Sequence, residues 1–254
     1  MFAILAVIVG VAAVIGIHEA SHMVVSKLFG VKVLKFSLGF GPVLFAKKIG
    51  ETIYQLAVLP LGGYVQMDGE NPESNIKRGF FSLPWWKRSL IALAGPVANL
   101  ILGFGLIVGL LVLFKGWPIL EGCKKAWELS SFVIIETLKW IFGVSSPLTK
   151  NVSSSASLSG PIMVTSILLS SVKEGAAQFL FVLSLISLSL GLFNLFPIPA
   201  LDGGHVFLYV LEGIRGKKFS SKVYIWWGYI GFILLISLMV VTSFLDISKL
   251  FGRG

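Results

Sequence analysis

Charge is scarce in this chain. Asp, Glu, Lys and Arg make up 13% of its 254 residues, where soluble domains carry about a quarter. Together with a 56% hydrophobic composition, that scarcity excludes an ordinary soluble globular protein. Cysteine is nearly missing: Cys123 stands alone, which excludes an internal disulfide and any multi-cysteine metal site. No segment recurs at a period of roughly 20–50 residues, so repeat architectures are excluded as well. Acids are outnumbered, 12 against 21 Lys and Arg. The resulting net charge of +9 calls for no nucleic-acid partner, because basic loops facing anionic lipid account for it. Histidine occurs only three times, and two of the three fall in "VIGIHEASHMV", at the end of an apolar run.

What is abundant is apolar sequence in long runs. A hydrocarbon core about 30 Å thick needs roughly twenty apolar residues to cross it, and four stretches qualify. They are 2–28, 89–114, 176–196 and 223–244. The chain therefore reads as an α-helical integral membrane protein with four transmembrane helices. The first run lacks a basic leader and a small-residue cleavage site, so it reads as a retained span rather than a signal peptide. Thirteen of the 21 basic residues, twelve of them between the first two spans and between the last two and Lys27 at the edge of the first, fall on one side, which by the positive-inside rule makes those loops cytoplasmic and puts both termini outside. Trp85, Trp86, Lys87 and Arg88 form an aromatic and cationic belt where the second span begins.

Between the spans the pattern changes. Residues 32–67 are rich in β-branched and aromatic residues and punctuated by Gly and Pro, which predicts three or four short strands in a small membrane-associated sheet on the cytoplasmic side. Residues 122–143 place Trp127, Ser131, Ile134, Leu138 and Ile141 on one helical stripe, as an amphipathic helix on the outer surface would. Residues 144–159 contain seven serines and read as a flexible linker.

The chemistry starts at His18, Glu19 and His22, which match H-E-x-x-H. On a helix the two imidazoles share one face and can bind one zinc ion, and the adjacent glutamate can reach a metal-bound water. Ionisable groups inside a span are costly, so they point to function. Two histidines leave the ion short of a third protein ligand. A metzincin would need Gly and His where Val25 and Leu28 stand, and Glu51 falls in a strand-and-turn region. Asp202, at the inner end of the third span, is left. A rise of 1.5 Å per residue puts His18 and His22 roughly 22–28 Å along the first helix, near its cytoplasmic side. Asp202 reaches the same depth from the third span, after Pro197 and Pro199 break that helix. Gly203 and Gly204 would allow a tight backbone approach there. Within the assigned spans and their inner ends, Glu19 and Asp202 are the only acids.

Several stretches together resemble the site-2 protease family of intramembrane zinc metalloproteases, in the bacterial regulator-of-sigma-E protease type. They are "HEASH" at 18–22, "SLGFGPVLF" and "LPLGGYVQM" in the sheet region, "AGPVAN" at 94–99, "SGP" at 159–161 and "NLFPIPALDGGH" at 194–205, in the family's order along most of the chain. The resemblance implies that His18, His22 and Asp202 bind zinc (Zn2+) and that Glu19 is the catalytic base. It implies that Asn194 contacts substrate near the scissile bond. It further implies that Gly39 and Gly41 belong to a membrane-associated hairpin, with Gly62, Gly63 and Tyr64 at the end of the sheet beside the active site. Pro197, Pro199 and Gly203 would shape the site. The expected substrate is a single-span membrane protein or a remnant signal peptide, cut within or next to its membrane segment, and the expected location is a bacterial inner membrane with the active site toward the cytoplasm.

One departure stands out. The type carries periplasmic PDZ domains between its second and third spans, whereas only about 45 residues separate Lys115 from Gly160, too few for such a domain. Two other readings stay open on sequence: a noncatalytic zinc-binding scaffold or metal transporter, and a peptidase acting on extended peptides.

Overall fold

The computed structural model describes residues 1–74, 76–141 and 160–251, so the Ser-rich segment expected as a linker lies outside the described residues. Along the chain run α1 (Phe2–Leu28), β1 (Val33–Ile49), β2 (Thr52–Met67), a 3-10 turn (Phe80–Ser82) and α2 (Trp85–Gly109), which continues as a π-type turn (Leu110–Phe114). Then follow α3 (Ile119–Ile141), α4 (Pro161–Glu174), α5 (Ala176–Asn194), α6 (Asp202–Arg215) and α7 (Ser221–Phe251). Among the described residues, four stretches are long and apolar enough to cross a bilayer: Phe2–Leu28, Trp85–Phe114, Ala176–Asn194 and Ser221–Ser248. These are the four expected spans with shifted ends.

The shifts have local causes. The second helix begins at Trp85 because Pro84, just before it, supplies a backbone angle suited to helix entry and has no N–H to leave unpaired. The third ends at Asn194, two residues early: the Leu195 and Phe196 amides donate to the carbonyls of Leu192 and Phe193, tightening the last turn, and Pro197 stops it. The fourth runs past 244 to Phe251, and that extension places Asp246 in a helix where only Glu19 and Asp202 were expected as deep acids. Helix α4 was not anticipated at all.

The chain forms two compact units, one of residues 8–99 and 191–232, the other of residues 1–7, 100–190 and 233–254. In the first, the sheet region resolves as two long antiparallel strands whose register shifts along their length. Lys35 pairs with both Gln66 and Ile53, and Ser37 with both Tyr64 and Gln55. Residues 35–38 therefore lie inside the sheet and 63–66 along one margin, so the two strands do the work of the several short ones expected. Gly39 and Gly41 make the bend possible, with φ of 90° and 86°. A polar chain crosses the sheet: Gln55 Nε2 donates to the Tyr64 hydroxyl at 2.9 Å and to Ser37 Oγ at 3.1 Å, and Ser37 Oγ donates to the Gly39 carbonyl at 3.0 Å.

Val31, Phe80, Phe81, Ile91, Ala92 and Tyr209 form an apolar core. A buried ion pair is set into it. Arg88 Nη2 donates to Glu212 at 2.6 Å, both side chains are 2% exposed, and the guanidinium lies over the Phe81 and Tyr209 rings at 4.9 and 4.7 Å. Glu212 also accepts from the Tyr224 hydroxyl at 2.8 Å and the Phe219 amide at 2.5 Å, so the carboxylate is well satisfied. The C-terminal half of α6 is thereby tied to the start of α2 and of α7.

In the second unit, α3 packs through small residues rather than through its large apolar stripe. Gly122, Ala126 and Ser130 are buried, with Ala126 against Ile107, Leu111 and Leu188, whereas Trp127 is 68% exposed. Gly160, preceding α4, offers no side-chain cap of its own. Asp246 on α7 supplies one, accepting from the Gly160 and Met163 amides at 3.0 Å each.

Candidate metal centre

Every side chain of the centre belongs to the unit of residues 8–99 and 191–232. Helix α1 sets His18 and His22 one turn apart on one face, with ring centroids 4.9 Å apart and both side chains buried. The chain leaves α5 through Pro197 and Pro199, passes Ala200 in the left-handed region at φ 70°, and enters α6 at Asp202. Such a conformation is strained for a residue with a Cβ, and it sits two residues before the carboxylate. Gly203 and Gly204 are buried against this turn. A Cβ on Gly203 would collide with the Leu195 and Phe196 carbonyls, and one on Gly204 with that of Ile198. Asp202 opens α6, yet its carboxylate makes no cap and faces the histidines.

Asp202 Oδ2 lies 3.0 Å from His18 Nε2 and 3.5 Å from His22 Nε2, and the three ligand atoms all fall within 4.8 Å of one another. Burial alone would raise the Asp202 carboxyl; the hydrogen bonding and charge of His18 and His22 outweigh it and hold the group below the usual carboxylate range.

The set fits a divalent metal ion on three counts. Ligands bonded at about 2.0–2.2 Å in a tetrahedral site stand about 3.3 Å apart, close to the two spacings of Asp202 from the histidines. His22 Nδ1 donates to the Ile91 carbonyl at 2.7 Å, so a neutral His22 turns the lone pair of Nε2 toward a carboxylate oxygen, and a cation is needed between those two acceptors. Space for it is kept by Gly95 on α2: a Cβ there would lie 2.6 Å from His18 Nε2 and closer still to His22 Nε2.

Helix α2 contributes no ligand but furnishes the rest of the pocket from one stripe. Ile91 accepts from His22, Gly95 leaves room, and Asn99, fully buried, places its amide nitrogen 3.0 Å from His18 Nδ1. The stripe is spaced four and four, so one helix face serves both imidazoles. Gly95 and Asn99 belong to the "AGPVAN" stretch at 94–99, where the local pattern assigns neither a task at the metal. The available signal was a small residue and an amide four apart inside an apolar helix, a pattern of close helix contact.

Of the other expected residues, Gly63 lies beside Glu19. A Cβ on it would meet Glu19 Cγ at 2.8 Å and the Ser37 carbonyl at 2.7 Å. The margin of the sheet thus abuts the glutamate. Gly62 packs under the Phe40 ring, and Tyr64 stacks on Phe40 at 6.2 Å. Asn194 is the last residue of α5, half-buried, eight positions before Asp202. His205 follows Asp202 by one turn and stacks on Tyr209 at 6.2 Å, with burial holding its imidazole below the usual value. Its Nδ1 has no hydrogen-bond partner among the described residues.

The chain resembles known proteins over its whole length. It is 28% identical to a Clostridium acetobutylicum protein named "Putative zinc metalloprotease", covering 97% of each chain. It is 26% identical to a Clostridium perfringens protein of the same name, over 93% of this chain and 96% of that one. With zinc metalloprotease RasP of Shouchella clausii it shares 23% identity over 99% of this chain and 100% of the relative. Residues 6–238 match the model of peptidase family M50, a stretch that takes in both histidines, Asp202 and the apolar runs. This multi-pass membrane protein therefore belongs to peptidase family M50, the site-2 protease family.

Proposed function

We propose that the protein is a zinc-dependent intramembrane endopeptidase that cuts membrane-anchored proteins or remnant signal peptides within or next to their membrane segments. The observation that carries this reading is the meeting of His18, His22 and Asp202 with Glu19 next in sequence to His18. Zinc held by those three side chains supplies Lewis acidity toward a water molecule and the scissile carbonyl. Glu19 takes the water's proton and returns it to the leaving amine. Asn194 contacts the substrate backbone near the cut.

The substrate must be unwound first, since each interior carbonyl of a membrane helix is held by the amide four residues on. Residues 62–67, on a sheet margin beside Glu19, suit an extended segment added as a further strand. The distribution of basic residues supports an active site toward the cytoplasm and both termini outside, and the relatives' bacterial sources support a bacterial cytoplasmic membrane.

Glu19→Gln tests the reading directly. Purified variant is expected to keep its zinc and lose cleavage of a tagged single-span substrate; undiminished cleavage contradicts the assigned base, and a wild type that binds zinc but cuts nothing favours a scaffold.

A further inference from the structure

We infer that Asn99 is a positioning residue that sets which nitrogen of His18 carries the proton, and so how firmly His18 holds a metal ion. The two imidazoles are supported differently. His22 Nδ1 lies 2.7 Å from the Ile91 carbonyl, a group that only accepts, so its tautomer is fixed by backbone and leaves Nε2 to the metal. His18 Nδ1 instead faces a side-chain amide, Asn99, at 3.0 Å. An amide offers an N–H2 on one side and an oxygen on the other, and a half-turn about its last torsion exchanges them.

Both orientations have a use. When His18 Nε2 carries the proton and donates to Asp202 Oδ2, 3.0 Å away, Nδ1 is an acceptor and takes a hydrogen bond from Asn99 Nδ2. When Nε2 binds a metal ion, the proton sits on Nδ1 and Asn99 must present Oδ1. Asn99 is fully buried, so no bulk water can take over either role. Partners of this kind fix ring orientation and raise ligand basicity, and their loss costs about 10- to 100-fold in metal affinity. An aspartate at 99 could serve only the orientation in which His18 binds metal; a leucine of similar size could serve neither.

The inference rests on the metal-centre reading above, and one titration separates the two. Full-length wild type, Asn99→Asp and Asn99→Leu, purified in detergent, are titrated with Zn2+ against a competing chelator, and with Co2+ while the visible ligand-field bands are recorded. Asn99→Leu is expected to bind Zn2+ about 10- to 100-fold more weakly, with altered cobalt bands, whereas Asn99→Asp binds at least as tightly as wild type and releases the ion more slowly. Wild-type affinity in Asn99→Leu, or an Asn99→Asp as weak as the leucine variant, overturns the assignment. Should the leucine variant fail to fold, faster release from Asn99→Asp than from wild type overturns it alone. A wild type that binds neither ion removes the metal-centre reading itself.

Discussion

Gly95 stands directly opposite His18: a Cβ on the glycine would come 2.6 Å from the imidazole Nε2 atom. A methyl group would fill the volume that a metal ion bonded to that nitrogen must occupy. Gly95→Ala is therefore expected to bind less than one tenth of the wild-type zinc, on the order of a steric exclusion rather than a weakened ligand. Gly105→Ala, on the same helix with nothing within 4 Å, is expected to keep its full complement. Metal analysis of both proteins checks this, and an alanine at 95 that loads normally would show that the ion sits elsewhere.

Gly63 and Gly62 are neighbours with different surroundings. At Gly63 a Cβ would press on Glu19 and on backbone, neither able to give way cheaply; at Gly62 it would press on the Phe40 ring, which can turn. Gly63→Ala is expected to lower kcat about 10- to 100-fold with zinc content unchanged, by the steep dependence of proton transfer on placement of the base. Gly62→Ala is expected to cost less. Steady-state kinetics on a tagged substrate would read both, and equal effects would argue against a special fit between the sheet margin and Glu19.

The Arg88–Glu212 pair predicts a non-additive stability pattern. Removing one partner leaves a buried charge uncompensated, at a cost of about 3–5 kcal/mol, so Arg88→Met and Glu212→Leu should each lower the thermal unfolding midpoint sharply in detergent. The double substitution replaces both charges by apolar side chains and should recover much of that loss. A double variant as unstable as the sum of the singles would mean that the two residues act separately.

Asp246 caps a helix far from it in sequence. Asp246→Ala removes the acceptor for the Gly160 and Met163 amides and is expected to cost about 0.5–2 kcal/mol at the start of α4. Faster proteolytic nicking of residues 160–174, with cuts elsewhere unchanged, is the expected reading. An unaltered digestion pattern would contradict it.

How much of this was legible beforehand follows from range. His18, Glu19 and His22 are a local pattern on one helix, and the scarcity of deep acids led on to Asp202; the structure brings those three ligand groups together. The long apolar runs were equally plain, because a span must satisfy its backbone within itself. What stayed hidden depends on contacts between segments. Neither Gly95 nor Asn99 has a local signature of its task, which arises only when α2 passes α1 in the opposite direction with 91 beside 22 and 99 beside 18. Asp246 lies beyond 244, where the apolar run was expected to end, and the amides it caps are more than eighty residues earlier, so nothing local marks its task. In α3 the large apolar stripe is the pattern visible in sequence, while close packing uses Gly122, Ala126 and Ser130, which a hydrophobicity pattern cannot distinguish from indifferent surface.

The central claim is one metal ion held jointly by α1 and the start of α6. X-ray absorption at the zinc edge of the purified full-length protein, with the metal-to-protein ratio measured on the same sample, tests it most directly. The account predicts one zinc per chain, nitrogen and oxygen neighbours only at about 2.0–2.2 Å, an outer-shell pattern of two imidazoles, and loss of the signal in Asp202→Ala. A sulfur neighbour, which only Cys123 or a methionine could supply, or a full zinc complement in Asp202→Ala, would contradict it.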